Sequence, residues 1–236
     1  MFWWIMNNIT LSARLMQIAS FVRGGAAADI GTDHGYIPVY LRQNGVCPCV
    51  IASDINKGPL DSAVQTARKY GVDGIRFVHA PGLDGVSPGE VGTVIIAGMG
   101  GETITEILKA APWVHSRGVR LILQPQSKTE VLSEYLRRCG FGITDITLVR
   151  DGGRIYLVLA AEPGEFGAED MFFLRQLADR HDALLKEYAQ GMLQRLLRRR
   201  RGLESAEIRN EDELAQADRA IEELEHTIEE CEKWQQ

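Results

Sequence analysis

The stretch A-A-A-D-I-G-T-D-H-G-Y-I-P, residues 26–38, decides the fold of this chain. An apolar strand ends in Asp29 and leads through Gly31 and Gly35 into an apolar helix. Nineteen residues after Gly35, a second apolar strand, C-V-I-A-S, ends in Asp54. In a doubly wound α/β sheet, such glycines let the backbone approach a nucleotide-containing cofactor, and the later carboxylate binds its ribose hydroxyls. The pattern predicts a cofactor site at this turn.

The spacing of the two glycines narrows the class of cofactor. Gly-x-x-x-Gly differs from the Gly-x-Gly-x-x-Gly turn that wraps a dinucleotide pyrophosphate. Asp29 would also repel a phosphate. A cofactor that lacks phosphates and carries an amino-acid cation fits better, so the turn predicts S-adenosylmethionine and disfavours a nicotinamide oxidoreductase.

The composition indicates an ordinary globular protein. Its 236 residues, 45% hydrophobic and 25% charged, suit one large domain or one domain with a smaller addition. The four cysteines form no C-x-x-C pair and have no histidine at zinc spacing, so no metal is predicted and a reduced, cytoplasmic setting is expected. No segment has the length and apolar character of a membrane span, so no membrane partner is expected.

Residues 10 to about 162 alternate between strands and helices. Five apolar runs predict buried parallel strands: Ala26–Ile30, Val50–Ser53, Ile75–Ala80, Thr93–Ala97 and Leu121–Gln124. Two further runs, Ile143–Val149 and Ile155–Ala161, flank a D-G-G turn and predict an antiparallel hairpin. An α/β Rossmann-like sheet that ends in such a hairpin is the outline of class I methyltransferases. We therefore predict a cofactor-binding catalytic domain over residues 1–164.

Residues 165–236 follow Pro163-Gly164 and are predicted to be helical. Six positions of the last arm are spaced like a coiled-coil seam: Leu214, Ala217, Ile221, Leu224, Ile228 and Cys231. A looser stripe precedes them at Leu174, Leu177, Leu184, Tyr188, Met192 and Leu196. Gly202 and its neighbours are expected to supply the bend, and Asn210 with Glu213 a capping box. The simplest prediction is a helical coiled-coil hairpin within a monomer, with a coiled-coil dimer as the alternative.

The net charge of −6 conceals an uneven distribution. Residues 202–236 carry 12 acidic and 3 basic side chains, whereas residues 1–164 carry 14 and 15. The acidic total therefore does not exclude an RNA partner. Arg198, Arg199, Arg200 and Arg201 form the densest basic run, which suits RNA phosphates or, equally, a solvated helix end.

Four strand-end segments are predicted to meet at one edge of the sheet. They are G-T-D-H-G-Y (31–36), S-D-I-N (53–56), I-A-G-M-G-G (96–101) and L-Q-P-Q (123–126). In an open α/β sheet, ligands bind outside the carboxyl ends of the strands. Four glycine-rich or polar segments at this edge predict a site with room for a second substrate beside the cofactor.

Five motifs of the chain resemble those of the bacterial tRNA adenine-22 N1-methyltransferases. They are L-S-A-R-L (11–15), D-I-G-T-D-H-G-Y-I-P (29–38), I-A-G-M-G-G (96–101), L-I-L-Q-P (121–125) and G-R-I-Y (153–156). Their order and spacing match over roughly residues 9–164, and that family also carries a helical, coiled-coil-like C-terminal domain. The resemblance implies a class I fold, S-adenosylmethionine as methyl donor and N1 of adenosine 22, in the D-arm region of tRNA, as the target.

The donor half of the expected site is built around two carboxylates. Asp29 would anchor the methionine ammonium of the donor, or else bond the N–H groups of its own turn. Asp54 would bind the ribose diol, or else cap the next helix. His34 would contact the cofactor or pack structurally. The other residues expected at the donor are Gly31, Thr32, Gly35, Ile55, Gly82, Leu83, Gly98 and Met99.

The acceptor half is expected to begin at Asp33, which would face the target base. Methylation at N1 generates a cationic product, so a fixed carboxylate would stabilise the developing charge; the alternative role is to stabilise the loop. Gln126 is the second residue expected to shape this pocket, and Tyr36 would stack on a base or belong to the core. Close backbone approach and amide contacts to the adenine edge are expected from Gly100, Gly101, Gln124 and Pro125.

Two positions depart from the pattern of the family. The family usually has Gly-Asp-Gly-Leu after the third strand, with the acid near the cofactor adenine, whereas this chain has Pro81 at the acid position and Asp84 out of register. It also has Gln126 where asparagine is usual. Pro81 leaves open a non-catalytic cofactor-binding scaffold. A class I methyltransferase for another base or a small molecule is the alternative among enzymes.

Overall fold

The computed structural model describes residues 8–164, 172–205 and 211–234, which divide into two compact units. Residues 8–145 and 149–164 form the first unit, and the remaining described residues form the second. The strands are β1 (Ala27–Ile30), β2 (Val50–Asp54), β3 (Ile75–His79), β4 (Thr93–Met99), β5 (Arg120–Pro125), β6 (Phe141–Asp151) and β7 (Arg154–Pro163). The helices are α1 (Ala13–Ser20), α2 (Tyr36–Gln43), α3 (Lys57–Tyr70), α4 (Gly101–Ala110), α5 (Trp113–Ser116), α6 (Thr129–Arg138), α7 (Phe172–Asp179), α8 (Leu185–Glu204) and α9 (Glu211–Trp234).

The seven strands form one sheet in the order β3-β2-β1-β4-β5-β7-β6. Strand β1 pairs in parallel with both β2 and β4, and β7 pairs antiparallel with β5. The predicted sheet with its terminal hairpin is therefore confirmed. Because the chain winds outward from β1 in one direction and from β4 in the other, the carboxyl ends of these two strands mark the topological switch point.

Burial explains why the central apolar runs became strands. Every residue of β1, β2 and β5 is buried, as expected for parallel strands that are covered on both faces. A core cluster on one face joins the sheet to α1 and α2, through residues such as Ile18, Leu41, Ile95, Ile122 and Val158. This packing holds the strand ends in place and so positions the loops that follow them.

Arg120, the first residue of β5, lies at the edge of the sheet opposite to those loops. It is 5% exposed, and its guanidinium forms ion pairs with Glu162 and with Asp145, the latter at 2.7 Å. It also donates to the carbonyl oxygen of Phe21 at 3.1 Å. Burial acts to raise the pKa of Asp145, but the hydrogen bond and charge of Arg120, with that of Arg23, lower it below its usual value. The network ties β5 to both strands of the hairpin.

Replacing Arg120 by methionine is expected to lower the free energy of unfolding by about 2 kcal/mol, because two partly buried carboxylates lose their main counter-charge. Chemical denaturation at pH 7.5 measures the loss. Arg23→Met is the matched control, since Arg23 pairs with the same two acids from a side chain that is 60% exposed. The gap between R120M and the wild type should shrink below about pH 4, where the carboxylates bind protons. Equal stability of R120M and R23M would contradict this role.

The second unit is built around the antiparallel pair of α8 and α9. Four of the six predicted seam positions of α9 are buried, namely Ala217, Ile221, Leu224 and Cys231, and Leu214 and Ile228 are half-buried. Ion pairs join the two helices at Lys186 with Glu232 and at Arg199 with Glu213, at 3.0 and 3.2 Å. The predicted helical hairpin is confirmed.

The structure refines the predicted tail in two places. Gly202 itself is helical, because α8 continues through it to Glu204, and the helix ends at its close neighbours Glu204 and Ser205; the cost of a helical glycine, about 1 kcal/mol, is small beside the packing of a 20-residue helix. The first arm is also interrupted between α7 and α8, where His181 has a left-handed backbone and Asp182 accepts a hydrogen bond from the N–H of Leu184. Asn210 of the proposed capping box lies outside the described residues. No helix among those described is long and apolar enough to cross a membrane.

Candidate functional site

The loop after β1 is bound to the end of β2 by its backbone. The N–H groups of Gly31 and Thr32 both donate to the carbonyl oxygen of Ser53, at 2.8 and 3.0 Å. Gly31 has φ +77°, and a Cβ there would collide with the Cε atom of Met99 from β4. Only glycine fits this position without strain. The loop therefore holds the ends of β1, β2 and β4 close together, as the strand-end pattern predicted.

Asp29 is the buried carboxylate of the site, with 6% of its surface exposed. Burial raises its pKa to about 6; the nearby Thr32 hydroxyl partly offsets this effect, and the charge of Asp54 adds to it. The Thr32 hydroxyl is itself buried and has no well-formed hydrogen bond to any residue in the described ranges. A buried carboxylate and an unsatisfied hydroxyl side by side fit a ligand with a cationic, hydrogen-bonding group.

Asp54 lies at the end of β2 and is 8% exposed. Its Oδ1 atom accepts a hydrogen bond of 2.6 Å from the N–H of Asn56, which is itself the N-cap of α3. Asp54 therefore shapes the turn before α3 and does not cap that helix at its second or third residue. Beside it, Ile55 is 62% exposed, an unusual position for a large apolar side chain. A carboxylate next to an accessible apolar surface suits a ribose joined to a planar base.

The segment after β3 contributes backbone and little side chain. Leu83 is 4% exposed, so its side chain belongs to the core. A Cβ on Gly82 would lie 3.3 Å from Cγ2 of Ile107. The N–H of Asp84 donates to the carbonyl oxygen of Pro81 at 3.1 Å and closes a turn there. His79, at the end of β3, contacts the carbonyl oxygen of Ile55 through Nε2 at 2.9 Å.

The loops after β4 and β5 are joined to each other. The pairing of β4 with β5 shifts in register between Ala97 and Met99, with Gly98 at the bulge. The N–H of Gln126 donates to the Met99 carbonyl at 2.8 Å, and that of Gly101 donates to the Ser127 carbonyl at 2.7 Å.

The start of α4 packs directly on the loop after β5. A Cβ on Gly101 would collide with the carbonyl oxygen of Lys128, so the helix start requires glycine there. A Cβ on Gly100 would lie 3.1 Å from Oγ of Ser127. The side chain of Gln126 is exposed and lies over Gly98 at this edge. The structure thus brings together Gly98–Gly101 and Gln126, as expected.

Asp33, His34 and Tyr36 form an exposed cluster on the loop after β1. The Asp33 carboxylate lies 3.3 Å from Nε2 of His34. The rings of His34 and Tyr36 are stacked, with centroids 5.3 Å apart. Tyr36 is 42% exposed, so it is not a core residue despite opening an apolar helix. Gly35, the N-cap of α2, is packed against Ala63 of α3. An acid beside a flat aromatic surface can receive a planar base that becomes cationic.

Gln124 and Pro125 lie behind this edge, because both are buried. The Oε1 atom of Gln124 accepts a hydrogen bond of 2.8 Å from Nη1 of Arg14, and its Nε2 donates to the Pro125 carbonyl at 3.0 Å. The amide therefore holds Arg14 and is not presented to solvent. Arg14 also lies over the ring of Tyr156, 5.0 Å from its centroid. Neither Arg14 nor Tyr156 is among the predicted site residues, although Arg14 belongs to the motif L-S-A-R-L and Tyr156 to the motif G-R-I-Y.

The four arginines near the end of α8 divide into two pairs. Arg199 and Arg200 form ion pairs with Glu213 and Asp218 of α9. Arg198 and Arg201 are exposed, and neither contacts an acid in the part of the chain that the structure describes. The same described part contains no group of three or more His, Cys, Asp or Glu side chains placed to hold a metal ion.

Comparisons with known proteins agree with this geometry. A family model described as a methyltransferase domain matches residues 11–159. The curated tRNA (adenine(22)-N(1))-methyltransferase of Bacillus subtilis is 36% identical over 162 residues, which cover 68% of each chain. A second curated relative, from Mycoplasma pneumoniae, is 32% identical over 159 residues, 64% of this chain and 71% of that protein.

Solved structures extend the match to nearly the whole chain. The crystal structure of the B. subtilis m1A22 tRNA methyltransferase TrmK has a TM-score of 0.75 at 28% identity, covering 95% of this chain and 98% of that one. Streptococcus pneumoniae Sp1610 in complex with S-adenosyl-L-methionine has a TM-score of 0.78 at 27% identity, with coverage of 93% and 100%. The chain therefore belongs to the class I methyltransferase family that contains the tRNA (adenine(22)-N(1))-methyltransferases.

Proposed function

We propose that this protein is an S-adenosylmethionine-dependent tRNA methyltransferase that forms N1-methyladenosine at position 22. The observation that carries the proposal is that two groups of side chains lie at one sheet edge. Asp29 and Asp54 are buried and would form the donor half of the site, and the exposed Asp33, Tyr36 and Gln126 would form the acceptor half. The curated B. subtilis relative supports the position of the target adenosine.

The donor half would hold S-adenosylmethionine through its two charged or polar ends. Asp29 would bind the ammonium of the methionine portion, with the Thr32 hydroxyl as a further partner. Asp54 would bind the ribose diol, and Ile55 would support the adenine, flanked by the backbone of Gly82 and Leu83. The rest of the cofactor would be enclosed by Gly31, Gly35, Gly98 and Met99, and His34 would lie at the rim of the site. The bound cofactor would supply a methyl group on a sulfonium, open to in-line displacement.

The acceptor half would position the adenine so that its N1 lone pair points at that methyl group. The bond from N1 to carbon forms as the carbon–sulfur bond breaks, and the positive charge moves from sulfur to the base. Asp33 would stabilise this charge, and Gln126 would hydrogen-bond the adenine edge. Gly100 and Gly101 permit close approach, and Tyr36 offers a stacking surface. The target must be unpaired or flipped out, at a cost of a few kcal/mol, so catalysis rests mainly on positioning.

The helical unit would serve as a tRNA-docking arm. Of its arginine run, Arg198 and Arg201 are the members without an acidic partner among the described residues and would bind phosphates, whereas Arg199 and Arg200 pair with acids of α9. Since the seam of α9 is covered by α8 of the same chain, a monomer is favoured over a coiled-coil dimer. A tRNA substrate also implies that the protein works in the cytoplasm and needs no membrane; the proposed chemistry requires no metal.

The double variant R198Q/R201Q is expected to weaken tRNA binding about tenfold at low salt. Because two phosphate contacts are lost, the slope of the logarithm of the association constant against the logarithm of the salt concentration should also decrease in magnitude by between one and two. Filter binding of unmodified tRNA over a range of salt measures both effects. Arg219→Gln, an exposed arginine on α9, is the control for loss of charge in the same unit. An unchanged slope in R198Q/R201Q would remove these residues from the RNA site.

Methylation of defined transcripts tests the proposed function. The protein is incubated with labelled S-adenosylmethionine and unmodified tRNA, and modified positions are mapped as reverse-transcription stops. We expect one stop at position 22, which disappears in a transcript with guanosine at that position. Incorporation of labelled methyl groups without a reverse-transcription stop would show that the methylated atom is not N1. Cofactor binding without incorporation into any tRNA would favour a non-catalytic scaffold, the alternative that Pro81 leaves open.

A further inference from the structure

Arg14 is a half-buried cation at the acceptor edge without a carboxylate partner in the described part of the chain. Its guanidinium is held by a neutral amide, Gln124, at 2.8 Å and by the face of Tyr156. Its Nη1 atom lies 3.8 Å from the position that a Cβ on Gly98 would take, and Nε2 of Gln126 lies 3.7 Å from the same point. Arg14 therefore borders the loop that would receive the target base.

Two elements fix the position of this guanidinium. The N-cap of α1, Ser12, donates from Oγ to Oδ2 of Asp151 at 2.6 Å, and the N–H of Arg14 approaches the same oxygen at 3.4 Å. Asp151 begins the D-G-G turn, and Tyr156 lies on the strand that follows it. The terminal hairpin thus anchors the start of α1 and also supports the Arg14 side chain. A side chain held from both sides is preorganised for a ligand.

The charge of Arg14 is the feature that needs an explanation. A partly buried cation loses hydration, and proteins normally offset this loss with a nearby anion. Arg120 at the opposite edge shows the usual solution, because it is paired with Asp145 and Glu162. Within the described ranges, the Arg14 guanidinium contacts only a neutral amide and an aromatic ring. An arginine held with donors to spare beside a substrate pocket suits an incoming anion, and guanidinium matches phosphate geometry with two parallel hydrogen bonds.

We propose that Arg14 binds a backbone phosphate that flanks the flipped-out target adenosine of the RNA. This inference rests on the proposed function. An adenine lying beside Gln126 and Gly98 carries its ribose and two phosphates toward the mouth of the pocket, where Arg14 lies. The contact fixes the nucleotide outside its stack, and it supplements the phosphate contacts of the docking arm.

Arg14→Gln is expected to lower kcat/KM for tRNA on the order of 30-fold, as for loss of a charged hydrogen-bond pair, and to reduce the salt slope of binding by about one. Arg14→Lys keeps the positive charge and should therefore keep the salt slope of binding. Its activity should still fall, because an ammonium group cannot form the two parallel hydrogen bonds that a planar guanidinium forms with phosphate. Affinity for S-adenosylhomocysteine and the melting temperature show that both variants are folded. Arg117→Gln, an exposed arginine far from this edge, is the matched control for lost charge.

A single neutral linkage identifies the phosphate. Transcripts carry a methylphosphonate on either the 5′ or the 3′ side of adenosine 22, and each is assayed with wild type and R14Q. At one of the two positions, the neutral linkage should reduce wild-type kcat/KM to about the level of R14Q, with little further loss in R14Q, as coupled groups behave. Additive losses at both positions would overturn the proposal. The proposed function is tested separately, by whether the wild type methylates the transcript that carries no methylphosphonate. If it does so while the losses are additive, the Arg14 contact fails and the proposed function stands.

Discussion

Replacing Asp33 by asparagine is expected to lower kcat for tRNA methylation about 100-fold, the size of effect seen when a group that stabilises transition-state charge is removed. Asp33 has 74% of its side chain exposed in the free protein, and its carboxylate lies 3.3 Å from Nε2 of His34. Bound RNA would cover the loop and reduce the screening by water. The carboxylate then favours the base that is becoming cationic over the neutral one. Asparagine keeps the shape and removes this charge.

Single-turnover methylation at saturating cofactor isolates the step in which Asp33 should act. The affinity for S-adenosylhomocysteine should stay within about twofold of wild type, because we assign Asp33 to the acceptor half of the site. An effect on cofactor binding is thereby separated from an effect on the chemical step. Glu102→Gln serves as the control, since Glu102 is an exposed carboxylate of the neighbouring helix α4. Turnover of D33N close to that of E102Q would leave Asp33 with a loop-stabilising role only.

Replacing Asp29 by asparagine is expected to stabilise the cofactor-free protein and to weaken cofactor binding. The folded pKa of Asp29, about 6, lies above its usual value of 3.8. Between these values the folded state holds a proton that the unfolded state has lost, so the free energy of unfolding falls as pH rises through this window. Above pH 6 the full penalty of about 3 kcal/mol is present. D29N has no such charge and should gain roughly 1–3 kcal/mol at pH 8.

Cofactor binding should change in the opposite direction. The ionised carboxylate attracts the ammonium of the cofactor, so D29N should bind S-adenosylhomocysteine about 30-fold more weakly at pH 8. Wild-type affinity should fall as pH drops below about 6, by at most tenfold per unit, whereas D29N should lack this dependence. Titration calorimetry at pH 8 and pH 5 with denaturant unfolding measures both effects, and Asp73→Asn is an exposed control. Equal affinity of D29N and wild type for S-adenosylhomocysteine would show that Asp29 only stabilises its own turn and does not bind the cofactor.

The order of the strands and helices was predictable because its signals are local. Buried parallel strands appear as continuous apolar runs, and the D-G-G turn between two alternating runs marks a hairpin. The seam of α9 was equally visible in its spacing of three and four. The break before α8 was not, because it depends on the left-handed backbone of His181 and on the bonds of Asp182, including one to the N–H of Leu148.

The chemistry of the site was only partly visible in the chain. The carboxylates Asp29 and Asp54 follow from strand ends and spacing, whereas the role of Asp33 at the target base stays a prediction. Spacing along one strand does not show that Gln124 is buried, or that its side-chain amide accepts a hydrogen bond from Arg14, 110 positions earlier in the chain. The same limit applies to Arg199 and Arg200, whose charges are taken up by α9.

By itself, the sequence determined the sheet, the edge at which we expect the ligands to bind and the type of cofactor, because periodicity and glycine spacing are properties of neighbouring residues. Only the tertiary structure decided which charges remain available. It buried Asp29 beside Asp54, paired Arg120 with two acids, and left Arg14 with a neutral amide and a ring. The physical reason is that the free energy of a charge depends on its burial and on its counter-charges, and folding brings these from distant parts of the chain.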